Sequence, residues 1–571
     1  MAISLLNGVE SSLVRHRRPM VIAALVCALA GSAGAQRRTT AVPSSPSDKI
    51  VVHVLNRIGF GPAPGDVERI RSLGLAAYME QQLQPDGLPD EKIDARVAGF
   101  DTLKMSTQDI AQNYYLPAQM LRRQAQRAKP TEPAMTPADP DARKNRTPEE
   151  MQAAQAERRV LAELTQQKIL RAAYSEKQLQ EMMVDFWFNH FNVFAGKGQT
   201  RIYLTEYERD TIRPHVFGKF RDLLGAVAEA PAMLFYLDNW QSSAAAGTAM
   251  EQPDVRRGQR GMRGRPGVGR PGGGRPGMIG RGATMADLPP ALQSKRPRGV
   301  NENYARELME LHTLGVEGGY GQADVQEVAR AFTGWTLSQP RQGGSFTFDP
   351  RMHDNGEKVV LGVRMKSGNG KKDGEQVLDL LARHPSTARF IATKLSRRFV
   401  ADDPPQALVD RAAARFRETD GDIREVVRSI ITSPEFFDPA AYRAKVKTPF
   451  EFVASALRAS AADATSALPL VQALRDLGMP LYGCQPPTGY ADRADAWVNT
   501  GALLNRMNFA VALSSGNMRG VSPTSGMSER WISAGALAGD VSEPTRATVA
   551  KAAAPSQAVA LLLGSPEFQR K

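Results

Sequence analysis

The stretch 301–315, NENYARELMELHTLG, combines acidic residues, an arginine and a histidine at helical spacing. On a helix, Glu302, Arg306 and Glu307 share one arc, and His312 lies on the other side among leucines. Paired carboxylates could act as acid and base while Arg306 binds an anionic group. The same arc would also suit a solvated face held by weak ion pairs, and His312 is typical of a core histidine. Both interpretations of the arc stay open.

A second polar set lies in 181–198, EMMVDFWFNHFNVFAGKG, which is apolar on nearly every side and therefore predicts a buried helix. Asp185, Asn189 and Asn192 follow at i, i+4, i+7 and form one stripe, with His190 roughly 100° away from Asn189. Buried polar groups need hydrogen-bond partners. The stripe therefore faces either a network that joins helices or the floor of a site.

The clearest β signal is 344–362, where Asn355-Gly356 separates two short alternating runs and predicts a hairpin turn. His353 and Asp354 directly precede this turn. They could carry chemistry, or Asp354 could simply bond the backbone of the turn.

Helical periodicity dominates the elements that would position these groups. We therefore predict a mainly α fold: a multi-helix globular array with one small β-hairpin near 344–362 and a disordered insertion. The predicted divisions are a signal peptide (1–35), a polar leader (36–47), an N-terminal helical region (48–242), the insertion (243–298), a central helical region with the hairpin (299–445) and a C-terminal helical region (446–571).

The N-terminus has the pattern of a secretory signal. Residues 15–18 are basic, MVIAALVCALAG follows as a short apolar segment, and Ala33-Gly34-Ala35 is a small-residue cleavage site. This predicts export to the periplasm or beyond, with Gln36 as the first mature residue and no transmembrane segment after cleavage. An uncleaved N-terminal anchor is the alternative.

The predicted insertion, 243–298, cannot bury a core because it is rich in glycine, proline and arginine. Residues 255–282 hold eight arginines and no acidic residue, so much of the net charge of +13 is local. We expect this segment to contact anionic surface polymers. It lacks the aromatic residues that nucleic-acid stacking needs.

Several blocks occur in an order that resembles the bacterial family known as domain of unknown function 1800. They are HVLNRIGFGP (53–62), FWFNHFNV (186–193), NENYARELMELHTLG with YGQADVQEVARAFTGWT (301–336), HDNGEKVVLG (353–362), HPSTARFIATKLSRRFV (384–400) and QPPTGY (485–490). The resemblance implies a mainly helical exported protein, often encoded beside a partner family that looks like alkaline phosphatases. It implies no activity.

The family motifs map onto Trp187, Asn189, His190, Asn301, Glu302, Asn303, Arg306, Glu307, His353 and Asp354. If the blocks meet in space, the candidate catalytic residues are His190, Glu302, Glu307, His353 and Asp354. The candidate substrate-binding residues are Trp187, Asn189, Lys197, Asn303 and Arg306. Mixed histidine and carboxylate would suit a divalent metal such as zinc, manganese or iron, whereas paired carboxylates could cleave glycosidic bonds without one.

Two functions follow from these residues. One is a hydrolase acting on an envelope or extracellular polymer through a His/carboxylate site. The other is a non-catalytic scaffold or export partner of a phosphatase-like companion protein, in which the same polar groups only lock helices together. The first requires the blocks to converge on one hollow that solvent can reach.

Overall fold

The computed structural model describes residues 41–128, 147–244, 299–524 and 528–571. Helices dominate these ranges, which confirms the predicted fold class. The longer helices of the first two ranges are α1 (Asp48–Arg57), α2 (Asp66–Leu73), α3 (Leu75–Leu83), α4 (Glu91–Val97), α5 (Leu116–Ala128), α6 (Pro148–Tyr174), α7 (Gln178–His190), α8 (Phe220–Glu229) and α9 (Pro231–Tyr236). They are followed by α10 (Glu302–Met309), α11 (Gln322–Ala331), α12 (Lys372–Arg383), α13 (Pro385–Phe399), α14 (Gln406–Glu418), α15 (Ile423–Ile431), α16 (Pro449–Ser460), α17 (Leu468–Asp476), α18 (Thr500–Ser514), α19 (Glu543–Val549) and α20 (Pro555–Leu563).

Shorter helical segments join these helices. Short α-helical turns span Thr107–Ile110, Leu204–Glu206, Glu529–Trp531 and Pro566–Gln569, and π-helical turns span Ala111–Tyr115, Tyr207–Ile212, Glu310–Leu314 and Ile532–Ala536. The 3₁₀ turns are Pro85–Gly87, Asp101–Lys104, Thr200–Ile202, Arg213–His215, Asn239–Gln241, Pro439–Ala441 and Ala494–Ala496. The π turn Glu310–Leu314 continues α10 directly.

Local sequence signals explain several helix ends. The side chain of Asn301 accepts a hydrogen bond from the Tyr304 N–H at 3.1 Å, so it is the predicted N-cap of α10. The helical run through His312 stops at Gly315, whose φ of 81° favours glycine. Pro385 occupies the first turn of α13, where its missing N–H costs nothing.

The β structure differs in detail from the predicted hairpin. The strands are β1 (Trp335–Leu337), β2 (Phe346–Phe348), β3 (Lys358–Val360), β4 (Val363–Met365), β5 (Asp463–Ala464) and β6 (Val521–Ser522), paired antiparallel as β1–β2, β3–β4 and β5–β6. Asn355-Gly356 therefore does not join a paired β2 and β3. The Asp354 carboxylate accepts from the Gly356 N–H at 2.9 Å, a local bond that turns the chain without pairing its flanks.

The core is built on helices that are buried along much of their surface. In α7, Met182, Met183 and Trp187 are each fully buried, as the apolar periodicity predicts. α6 packs against α7 and α16, and α13 packs against α14 and the π turn Glu310–Leu314. Ile391 and Leu395, one helical turn apart, are the fully buried side of α13. Lys394 and Arg397 lie on another side of α13 and are only partly buried, so that side can line a cleft.

The chain from Val42 onward forms one compact unit. The predicted signal peptide, most of the polar leader and nearly all of the Arg-rich insertion lie outside the described residues. Nothing in the structure tests the division into three helical regions, which stays a prediction. Among the described residues, no helix has both the length and the apolar character needed to cross a bilayer.

Candidate functional site

A cleft open to solvent lies where α7, α13 and the chain from 479 to 493 meet, and its volume is about 240 Å³. It is lined by Asp185, Phe186, Asn189, His190, Lys394, Arg397, Arg398, Thr448, Met479, Thr488, Tyr490, Ala491, Asp492 and Arg493. We call it the His190 cleft. It brings together two of the sequence blocks, 186–193 and 485–490, with a third, 384–400.

Helical spacing explains which side chains reach the cleft. Phe186 and His190 are one turn apart on α7, and Lys394, Arg397 and Arg398 follow at i, i+3, i+4 on α13. Each set therefore forms a single stripe that faces the opening.

Asn189 holds the loop that forms the third wall. Its amide donates to the Tyr490 carbonyl at 2.8 Å and accepts from the Tyr490 N–H at 2.7 Å. Asn192 donates to the carbonyls of Cys484 and Pro486 at 3.0 and 2.8 Å. A Cβ on Gly489 would lie 2.2 Å from the Asn189 carbonyl, so this close approach requires glycine. The predicted polar stripe thus both ties elements together and borders the cleft.

His190 is held by a partner on each ring nitrogen. Nε2 lies 3.1 Å from the His312 carbonyl, which can only accept, so Nε2 carries the proton. Nδ1 then accepts from the Lys394 ammonium at 2.8 Å. The 301–315 block therefore meets His190 through a backbone carbonyl of its π turn.

The electrostatics of this pair favour a neutral histidine and a readily deprotonated lysine. Burial, with the charge of Lys394 as the next cause, holds the pKa of His190 well below its ordinary value. Burial also lowers the pKa of Lys394 to about 8; Asp492 opposes this shift and Arg397 adds to it. His312 is buried beside them, and burial lowers its pKa to about 3.

Two cations of the cleft have no counter-ion. Arg398 lies 3.4 Å from the Asp185 carboxylate, and Arg493 pairs with Asp403 at 2.9 Å. By contrast, Lys394 and Arg397 have no carboxylate of the described chain within 4.0 Å. Arg397 uses only its Nε, which donates to a backbone carbonyl at 2.9 Å. The cleft thus presents uncompensated positive charge.

Two carboxylates also line the cleft. Asp185 lies 3.1 Å from the ammonium of Lys168, and Asp492 lies 3.2 Å from that of Lys445. Burial alone would raise the pKa of Asp492, but the positive charges of Lys445 and Arg398 outweigh it and lower the pKa. Asp492 is therefore ionised at neutral pH.

The acidic arc of α10 lies outside the cleft lining. Gln322 bridges Glu302 and Arg306 with hydrogen bonds of 2.7 Å each, so the expected direct ion pair between them is replaced. Asn303 is exposed, and Glu307 is partly buried. Burial, then Glu310, raises the pKa of Glu307.

His353 belongs to a sealed group, the His353 cluster, made of Thr333, His353, Lys358 and Asp373. The imidazole lies 2.8 Å from the Thr333 carbonyl and 3.2 Å from the Asp373 carboxylate. Lys358 donates to the same carboxylate at 2.7 Å. Burial would raise the pKa of Asp373, but hydrogen bonds from His353 and Lys358 lower it overall. All four side chains are buried.

Asp354 is occupied by a bidentate ion pair. Arg330 donates to its two oxygens at 3.0 and 3.1 Å, in addition to the Gly356 contact in the turn. The structure therefore places His353 and Asp354 side by side in structural contacts and does not bring them to His190.

Two predicted substrate-binding residues have contacts of their own. The Trp187 indole is buried and donates to the Val216 carbonyl at 3.3 Å. Lys197 pairs with Asp238 at 2.6 Å and also donates to the Tyr236 carbonyl. Of the ten predicted site residues, Asn189 and His190 are the ones that line the cleft.

The donor set bears on the metal prediction. Within the described ranges, no group of three or more His, Cys, Asp or Glu side chains is arranged to hold a metal ion. The histidines are instead engaged by carbonyls, Lys394 and Asp373.

Sequence reasoning missed Lys394, Arg397, Asp492 and Arg493. The signal for the first two was present in 384–400, where cations at i, i+3 and i+4 follow one side of the helix. Spacing within one helix cannot tell a solvated stripe from the wall of a cleft.

The model of the family described as "Protein of unknown function (DUF1800)" matches residues 53–570. The chain belongs to this family. The resemblance drawn from the ordered blocks is therefore confirmed over nearly the whole chain. No curated protein and no solved structure matches it.

Proposed function

We propose that this DUF1800 protein is a hydrolase that binds an anionic group of an envelope or extracellular polymer in the His190 cleft. The observation that carries the proposal is the pair of uncompensated cations, Lys394 and Arg397, on one stripe of a solvent-open cleft. A cation without a counter-ion in a partly buried site is stabilised when an anion binds.

The size and donors of the cleft favour a small oxyanion. A volume of about 240 Å³ accommodates a phosphate, sulfate or carboxylate with an adjoining group, and a polymer would extend through the opening. The Arg397 guanidinium keeps its terminal nitrogens available, and its planar geometry suits two parallel bonds to an oxyanion.

The hydrolytic step uses the groups beside the anion. Lys394, with a pKa of about 8, can donate a proton to a leaving oxygen near neutral pH, and His190 keeps its ammonium oriented. Asp185 or Asp492 can take a proton from the attacking water. The water supplies a hydroxide to the electrophilic centre, and the bond to the leaving oxygen breaks as that oxygen is protonated.

Binding of inorganic phosphate, sulfate and galacturonate to the purified chain tests the first half of the proposal. We expect Arg397→Gln and Lys394→Met each to weaken binding about 10- to 100-fold, because a charge-assisted hydrogen bond contributes about 1.5–3 kcal/mol. Calorimetry gives the affinities. Affinity should also fall as pH rises past about 8, since Lys394 then loses its charge.

Arg389→Gln is the matched control, because Arg389 lies on the exposed side of the same helix and pairs with Asp410 at 2.9 Å. Its affinities should equal those of the wild type. If none of the three anions binds, or if Arg389→Gln and Arg397→Gln behave alike, the proposal is wrong.

A non-catalytic scaffold, working with a phosphatase-like companion protein, is the second candidate. It is favoured by the hydrogen bonds of Asn189, Asn192 and His190, which hold a loop and a π turn in place. On this alternative, Lys394→Met and Arg397→Gln would leave co-purification with the companion unchanged, and no hydrolysis of envelope or extracellular polymers would be measured.

We also propose export to the periplasm or beyond, on the basis of the secretory pattern in residues 1–35. Amino-terminal sequencing of the fractionated protein should return Gln36. The arginines of the insertion are proposed to contact anionic surface polymers. Deleting 245–298 should then reduce polymer binding without altering phosphate affinity.

A further inference from the structure

A second cleft, with a lining that shares no residue with the His190 cleft, lies between the chain from Val97 to Lys104, the helix α6 and the segment 205–213. Its volume is about 370 Å³, and its lining includes Phe100, Leu164, Thr205 and Glu208. We call it the Thr205 cleft. A volume above about 300 Å³ is in the range of small-molecule sites.

Two deeply buried side-chain oxygens of this cleft have no partner in the described chain, and neither has the Nε of Arg171, which also lines it. Thr205 and Glu208 are each only 1% exposed. Neither Thr205 Oγ1 nor Glu208 Oε1 has a hydrogen-bond partner in the described chain. The nearest cation to Glu208 Oε1, the Arg213 Nη2, lies 3.9 Å away, too far for a hydrogen bond. Orphaned buried polar atoms are rare, so these two indicate an outside partner.

Three of the four cations that line this cleft are paired with carboxylates, and the fourth, Lys104, donates to the Ala98 carbonyl at 2.8 Å. Arg213 binds Glu181 through two bonds of 2.6 and 3.0 Å. Arg171 lies 3.2 Å from Asp94, and Arg209 binds Asp210 at 2.6 Å. An anion would gain little from these paired cations and would be repelled by Glu208.

A cationic ligand is disfavoured as well, because four cations and only two carboxylates, Asp94 and Glu208, line the cleft. Glu208 as a carboxylate can only accept, whereas the Thr205 hydroxyl can donate and accept. A ligand without net charge that carries hydroxyl groups meets both requirements. The ligand should also have an apolar face, because one wall of the cleft is formed by Val97, Phe100, Leu103 and Leu164.

We infer that the Thr205 cleft binds a neutral saccharide, with hydroxyls on Thr205 and Glu208 and an apolar ring face on Phe100. A sugar combines these two surfaces in a molecule that fits the cavity. The π turn Tyr207–Ile212, which begins just before Glu208, is of a kind often found at functional sites. The inference stands independently of the His190 cleft.

Ligand-observed NMR with glucose, galactose and N-acetylglucosamine tests it on the purified chain, with glucosamine and glucuronate as charged counterparts. We expect at least one neutral sugar to bind and the charged counterparts to bind at least fivefold more weakly. Thr205→Val, which keeps the shape and removes the hydroxyl, should weaken the neutral sugar at least fivefold. Phe100→Leu should weaken it similarly.

Arg397→Gln is the control for the other cleft and should leave sugar affinity unchanged. Thermal melting checks that Thr205→Val is folded, and Phe100→Leu gives a second readout if it is not. The inference is overturned if none of the three neutral sugars binds, if both folded variants bind them as the wild type does, or if glucuronate binds more tightly than glucose.

Discussion

The His190 cleft and the His353 cluster contain nearly the same groups and use them differently. Each joins a histidine to a lysine with a carboxylate nearby. In the His353 cluster, Lys358 and His353 share the Asp373 carboxylate, and every charge is matched inside the core. In the His190 cleft, Lys394 bonds a neutral imidazole and stays without a counter-ion. Composition alone therefore does not identify a site.

Solvent access and the presence of counter-ions therefore distinguish a structural cluster from a candidate functional site. A buried ion pair is costly to break because one partner is left charged and unpaired. A partly buried cation that no carboxylate contacts directly is unfavourable to ionise, and a bound anion can offset this cost. Variants of matched type should therefore have opposite effects in the two regions.

The largest effect is expected for Lys358→Met. Removing this lysine leaves the buried Asp373 with a single partner, which should lower the free energy of unfolding by about 3–5 kcal/mol. Urea unfolding measures the loss. Lys366→Met, at an exposed lysine after the same β-hairpin, should change stability by less than about 0.5 kcal/mol. A small effect of Lys358→Met would mean that the cluster is not sealed.

Asn189→Ala should have the next largest effect. It removes both bonds to Tyr490 and leaves partly buried backbone groups unpaired, which should lower the free energy of unfolding by about 2 kcal/mol. Phosphate affinity should fall as well, because the loop then no longer borders the cleft. Asn303→Ala, at an exposed asparagine, is the control. Equal effects of the two variants would show that the hydrogen bonds from Asn189 to Tyr490 do not hold the loop in place.

Lys394→Met should stabilise the protein at pH 7, on the order of 1–2 kcal/mol, because one pKa unit corresponds to about 1.4 kcal/mol and solvent in the cleft weakens the effect. The Lys394 pKa is lower in the folded than in the unfolded chain, so the unfolded chain binds more protons above about pH 8. The free energy of unfolding of the wild type should therefore rise with pH from about 8 up to about 10.5, the ordinary pKa of a lysine in the unfolded chain. The variant should lack this rise, and destabilisation at pH 7 would contradict the uncompensated charge.

The smallest effect is expected for Glu302→Gln. Glu302 bonds Gln322 on the surface of α10, so the change in stability should stay within about 0.5 kcal/mol. Phosphate affinity and any hydrolytic rate should equal those of the wild type. A large loss of either would mean that Glu302 takes part in the functional site although it lies outside the lining of the His190 cleft.

Much of the architecture follows from local pattern. The buried α7, the Asn301 cap and the Gly315 end of the 301–315 run were all predictable, because periodicity and capping act over a few residues. The strands near 344–362 were predictable in position and not in partner. The partner of β2 is β1 at 335–337, which lies outside the segment whose pattern was read.

The site was predictable only in part. His190 and Asn189 are predictable from their polar types in an apolar helix, and both line the His190 cleft. Lys394 and Arg397 were missed because a cationic stripe is usually a solvated helix face. His353 and Glu302 were named from their chemistry, yet one is sealed and the other lies on α10 outside the lining.

The sequence by itself determined a mainly helical chain of this family, its helix ends, and which polar groups had to find partners. Those properties depend on neighbours a few residues away. Only the tertiary structure decided that Lys394 meets His190 in an open cleft while Lys358 meets His353 in a closed one. The protonation and availability of a charge depend on burial and on neighbouring charges and hydrogen-bond partners. Lys394 lies 204 residues from His190 in the sequence, so no local pattern encodes their contact.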